Sequence, residues 1–186
     1  MSIPRKEYLE EVIAVWHDCL RTGTPLHIEK SRRLILSWLC TVLEIHALGA
    51  SPGRGLISAI AYETPFGSKQ FVWRSFAVYD RLVQRRPDWK LPKAIHMGSI
   101  DGKQLDSVIL PNGSIIEAVN SEGESFRGGG AGIVRVEELS QRKRAKAIWS
   151  QAVRVCEGLP GQVGGFPYSV NNASANAEWH SIKRPI

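Results

Sequence analysis

Pro25-Leu-His-Ile-Glu-Lys-Ser-Arg-Arg-Leu-Ile-Leu-Ser-Trp38 reads as a short apolar strand, Leu26 to Ile28, passing through a Lys/Ser/Arg loop into a helix. Its counterpart is Gly132-Ile-Val-Arg-Val-Glu-Glu138, an apolar strand that ends in two carboxylates. One strand delivers cations and a hydroxyl, the other delivers acids. Nucleoside triphosphate hydrolysis needs both. Backbone N–H groups at a helix N-terminus and a positive side chain hold phosphates, and Mg²⁺ takes oxygen ligands.

The segments around this pair set the fold class. Apolar residues recur with helical period from residue 5 to 20, a lead-in over residues 1–24 that stops at Thr22-Gly-Thr-Pro25. A second, mostly apolar helix is expected over Leu34 to Leu48, then a Gly/Pro-rich loop over residues 49–55. Leu56 to Tyr62 is nearly all apolar, as in a parallel strand covered on both faces. An amphipathic helix is expected from Phe71 to Val83, closed by Arg85-Arg-Pro87.

Two strand-like runs, Leu105 to Leu110 and Ser114 to Val119, flank the hairpin turn Pro111-Asn-Gly113. A helix from Ser140 to Cys156 and a short strand from Phe166 to Val170 complete the pattern. Strands alternating with helices predict an α/β protein: a mostly parallel sheet flanked by helices, with one inserted antiparallel hairpin.

Composition bounds the function. The chain has 186 residues, 43% hydrophobic and 23% charged, enough for one sizeable domain with a real core. A net charge of +6 favours a polyanionic partner. The 3 cysteines lack metal-site or disulfide spacing and read as buried thiols in a reducing compartment. No apolar run reaches the about 18 residues of a membrane span. The N-terminus has no apolar signal-peptide centre. A cytoplasmic protein is expected.

The common phosphate loop reads G-x-x-x-x-G-K-[ST]. With Ser37 as its terminal hydroxyl, the slots here are Lys30, Ser31, Arg32, Arg33, Leu34, Ile35, Leu36 and Ser37, without the glycines or the usual lysine. The physical requirement is still met if Lys30, at the loop entry, reaches the phosphates from the opposite side. Ser37 then lies in the first helical turn, within reach of Mg²⁺. The competing reading is a plain strand-to-helix turn with solvated cations. Glu137-Glu138 has its own plain alternative, an exposed helix N-terminus favoured by the dipole.

Lys30-Ser-Arg-Arg-Leu-Ile-Leu-Ser37 resembles the variant Walker A of large terminase subunits of tailed bacteriophages. Their loop commonly reads S-R-x-x-G-K-[ST], and one subgroup moves the lysine upstream, as K-S-x-R-x-G-x-S. Lys30, Ser31, Arg33 and Ser37 match the subgroup, and Arg32 matches the arginine of the commoner form. Ile35 departs from it, placing a β-branched side chain where glycine is usual. Gln70-Phe-Val-Trp-Arg74 is similar to a family helix, Ser125-Phe-Arg-Gly128 to its S-x-R-G loop, and Ile133 to Glu138 to its Walker B strand.

The resemblance implies a P-loop NTPase-like fold that binds ATP and Mg²⁺. Lys30, Ser31, Arg32, Arg33 and Ser37 would contact nucleotide, with Ser37 and Glu137 on the metal. Glu138 would polarise the attacking water. Arg32 would stabilise transition-state charge, within its own subunit or across to a neighbour. Asn172 and Ser174 fall in the segment similar to the coupling motif, which senses the γ-phosphate.

The implied function is an ATP-driven motor packaging double-stranded DNA into a capsid, in the host cytoplasm. Its partners would be a small terminase subunit, a portal and a homo-oligomeric ring. The family's C-terminal nuclease domain is expected to be absent, since ten residues follow Asn176, leaving a single domain over 1–186. The alternatives are a helicase-like P-loop translocase and an inactive P-loop scaffold or DNA-binding module. Arg142-Lys-Arg-Ala-Lys146 is read either as a DNA-backbone contact or as a solvated helix face.

Overall fold

The computed structural model describes residues 7–30, 35–50, 57–62, 64–120, 131–156, 165–172 and 177–183. In chain order the elements are α1 (Glu7–Thr22), β1 (Leu26–Lys30), α2 (Leu36–Ala50), β2 (Ile57–Tyr62), α3 (Pro65–Arg85) and β3 (Ile95–Ser99). They continue with β4 (Gln104–Ile109), β5 (Ile115–Asn120), β6 (Ile133–Glu137), α4 (Ala145–Cys156), β7 (Phe166–Asn172) and α5 (Ala177–Lys183).

The strands form one 7-stranded sheet in the order β1-β7-β6-β2-β5-β4-β3. Strands β1, β7, β6, β2 and β5 run parallel, and β4 is antiparallel to both of its neighbours. The expected α/β sheet with an antiparallel insertion is present. The insertion is larger than the expected hairpin, because β3 adds a third strand. At its turn Gly113 takes a left-handed φ of 83°, and the Asn112 side-chain amide donates to the Leu48 carbonyl at 2.6 Å. That bond ties the insertion to α2.

Alternation of side chains across the sheet divides the core in two. One face packs Ile133, Phe166, Tyr168 and Val170 against α1, α2 and α3, with Trp16, Cys40 and Val72 buried among them. The other packs Val134, Val136, Ala59 and Ala61 against Trp149 of α4 and Trp179 of α5. On β6 this places Ile133, Arg135 and Glu137 on the α2 side.

Helix α3 starts six residues before the expected Phe71. Thr64 caps it by accepting from the Gly67 N–H at 3.1 Å, and Pro65 suits the first turn. The helix expected from Ser140 starts only at Ala145, after a 3-10 turn over Leu139–Gln141. Ser140 is bonded to β7 instead: its N–H donates to Asn171 Oδ1 at 2.9 Å and its hydroxyl to the Asn172 carbonyl at 2.8 Å. Helix α5 and the last two residues of β7 were also not expected from the sequence.

Candidate functional site

The site is built at the carboxyl ends of β1, β7 and β6. The parallel register aligns Lys30 with Asn172 and Glu137 with Val170, so these side chains leave the sheet along one edge. Ligands of open α/β sheets bind outside this edge. Helix α2 begins beside it, with the Ile35 carbonyl accepting from Trp38 and Leu39 N–H groups. Ser37 therefore occupies the first turn, where backbone donors lack intrahelical partners. Ile35, in the position of the usual glycine, is half exposed.

Glu138 turns sharply out of β6 with a left-handed φ of 54°. A non-glycine residue holds that conformation only when its surroundings fix it. Here the Glu138 N–H donates to the Val170 carbonyl at 2.9 Å. Its carboxylate accepts from the Asn172 side-chain amide at 2.9 and 3.0 Å and from the Asn172 N–H at 3.2 Å. Lys30 Nζ lies 3.7 Å from Glu138 Oε1, both side chains being largely buried. A polar line braces the turn from behind. His27 Nδ1 meets Ser169 Oγ at 2.7 Å, and Asn171 bonds Ser169 on one side and Ser140 on the other.

Glu137 is buried and faces α2. Ser37 Oγ donates to Glu137 Oε2 at 3.3 Å. The other carboxylate oxygen, Oε1, accepts from Nε and Nη2 of the fully buried Arg135. Burial works against the Arg135 charge, but Glu137 foremost, with Tyr168 and Glu44, outweighs it and holds the guanidinium pKa well above its usual value. Glu44 is itself raised, mainly by burial and in opposition to Arg135.

Two further arginines approach. Arg74 of α3 is half-buried, its Cζ 4.4 Å from the Phe71 ring centroid and 5.5 Å from that of Trp38. Desolvation lowers its pKa against the pull of Glu137. Arg142 is buried, 5.6 Å from the Tyr62 ring centroid, with Nη2 at 3.5 Å from the Glu137 carbonyl. Arg142 thus leaves the basic run read as a DNA-backbone contact or a solvated helix face, while Lys143, Arg144 and Lys146 remain exposed.

Of the residues singled out from sequence, Lys30, Ser37, Glu137, Glu138 and Asn172 come together. Ser31, Arg32, Arg33, Ser174 and the Ser125–Gly128 loop lie outside the described residues. Sequence reasoning missed Arg135 with its partners Thr41 and Glu44. The available signal was an arginine inside an apolar strand, a position that requires buried partners.

The metal donor set would be short. Among the described residues no group of three or more His, Cys, Asp and Glu side chains could hold a metal ion. Ser37 Oγ and Glu137 Oε2 are hard oxygen donors side by side. Such a pair suits Mg²⁺, which keeps waters and takes phosphate oxygens alongside one or two protein ligands. The residues fit the ion. No helix among the described residues is long and apolar enough to cross a membrane.

No protein-family model matches the sequence, and no curated protein shows significant similarity to it. Solved structures do match. The large terminase of a thermophilic bacteriophage superposes with a TM-score of 0.67 at 11% identity, covering 98% of this chain and 42% of that one. The HK97 bacteriophage large terminase gives 0.57 at 14% identity, covering 92% and 34%. The Thermus phage P74-26 large terminase ATPase domain gives 0.54 at 16%, covering 84% and 62%. The first of these three terminases has also been solved with ATP-γ-S and with ADP. This chain spans less than half the length of the first two. It shares its fold with the ATPase domain of phage large terminases.

Proposed function

We propose that the chain is an ATP-hydrolysing motor domain that moves double-stranded DNA into a phage capsid. The observation carrying this reading is that Lys30 pairs with Glu138 and Ser37 with Glu137, the two consecutive acids at the end of β6. The shared fold supports it, as do the ATP-γ-S and ADP complexes of the thermophilic bacteriophage terminase.

Lys30 releases Glu138 and turns its ammonium to the β- and γ-phosphates, while the first N–H groups of α2 receive phosphate oxygens. Ser37 and Glu137 would hold Mg²⁺, which neutralises charge on the phosphates when bound. Glu138, freed from Lys30 but still held by Asn172, orients and polarises the attacking water. Arg32 stabilises charge on the transferring phosphoryl, and Ser31 and Arg33 contact the nucleotide. Asn172 bonds Glu138 directly, so loss of the γ-phosphate is felt at the end of β7, where Ser174 follows. The exposed Lys143, Arg144 and Lys146 suit a DNA backbone. A small terminase subunit, a portal and further copies of the chain are the expected partners, in the host cytoplasm.

Phosphate release from ATP in the presence of Mg²⁺ tests the reading. Glu138→Gln should retain nucleotide binding and lose turnover by about 10²–10⁴-fold. A wild-type chain that neither binds nor turns over ATP would establish the inactive scaffold instead.

A further inference from the structure

Arg135 is among the largest fully buried side chains of the described residues, and it sits between the two segments that form the site. Its Nη2 donates to the Ser37 carbonyl at 2.8 Å, and its Nη1 to Thr41 Oγ1 at 3.0 Å and Glu44 Oε2 at 3.2 Å. Nε donates to Glu137 Oε1 at 2.7 Å, and Nη2 also bonds that oxygen. The Phe71 ring covers the guanidinium at 5.1 Å from its centroid.

One planar group thus bonds both Ser37 and Glu137, residues 100 positions apart in the chain. A guanidinium presents its donors in a fixed fork, which an ammonium cannot copy. The fork engages only Oε1 of Glu137. Oε2 is left facing Ser37 Oγ. Thr41 and Glu44 then fix the fork itself, from the next turns of α2.

We propose that Arg135 is a positioning residue: it grips the Glu137 carboxylate by one oxygen and presents the other, beside Ser37 Oγ, to the Mg²⁺ of a bound nucleotide. This inference rests on the nucleotide reading of the site. Bolting α2 to the sheet would need only the Thr41 and Glu44 contacts. Those to Glu137 and the Ser37 carbonyl set where the donor pair stands. Partners that orient a metal's ligands typically affect affinity about 10–100-fold.

The test measures ADP affinity at saturating Mg²⁺ and in EDTA, with folding followed by circular dichroism. Wild type should bind ADP more tightly with Mg²⁺. Arg135→Lys keeps the buried charge but not the fork, and should lower the Mg²⁺ affinity of the ADP complex about 10–100-fold, with little change in EDTA. Glu44→Gln leaves Arg135 on Glu137 and should retain the Mg²⁺ response while melting at a lower temperature. If Arg135→Lys does not fold, Arg135→Lys/Glu44→Gln supplies the same readout, since one buried cation then faces one buried carboxylate, Glu137. A folded Arg135 variant with the wild-type Mg²⁺ response overturns the proposal. A wild type that binds ADP under neither condition overturns the nucleotide reading itself, a result separable from the first.

Discussion

Asn172 holds Glu138 from two sides, its backbone N–H and its side-chain amide both donating to the one carboxylate. The residue ending the strand between β1 and β6 therefore aims the acid that follows β6. Replacing Asn172 by Ala removes the side-chain donor and leaves the backbone contact. Turnover of ATP should fall at least tenfold, while ATP-γ-S binding changes little, because Lys30 and α2 remain. The melting temperature should drop by the equivalent of about 1 kcal/mol. A kcat and KM comparison with wild type checks the split.

Ser37 faces Glu137 with a single hydroxyl. Ser37→Ala should weaken nucleotide binding in Mg²⁺ about tenfold and leave binding in EDTA nearly unchanged, because its backbone N–H remains. Titration with ADP under both conditions reads this directly.

Gly67 allows Tyr62 to pack across the start of α3. A Cβ there would lie 1.9 Å from Tyr62 Cδ1 and 2.7 Å from Cγ, so the whole ring must shift. Arg142 lies over that ring and reaches toward the Glu137 carbonyl. Gly67→Ala should therefore destabilise the fold by about 1–3 kcal/mol, read as a lower melting temperature, despite the better helix propensity of alanine.

The thiols differ in access. Burial pushes both Cys40 and Cys156 up to about 12, whereas Cys19 on α1 is raised but only partly buried. At pH 8 a maleimide should label one thiol of the native chain, Cys19, and all three in denaturant. Mass spectrometry after timed labelling distinguishes the sites.

β2 was legible because it is a near-continuous apolar run, and the hairpin because Pro111-Asn-Gly113 demands a turn. β3 was not: its Ile95 and Met97 lie on an edge strand with their side chains exposed, and the register shift at Gly98 interrupts the period. The break before α4 was hidden because it depends on Asn171 and Asn172, about thirty residues further along. In the site, the acids and Lys30 stand out by position at strand ends. Arg135 shows in sequence as a charge in an apolar strand. Its partners Thr41 and Glu44 come from a helix, 94 and 91 residues away, and no local pattern names them.

The most direct test of the account is calorimetric binding of ATP-γ-S with Mg²⁺ to the wild-type chain and to Lys30→Ala. A charge-assisted contact contributes about 1.5–3 kcal/mol, so the variant should bind about 10–100-fold more weakly while remaining folded. Equal affinity of the two proteins, or no binding by the wild type, would contradict the assignment of Lys30 to the phosphates.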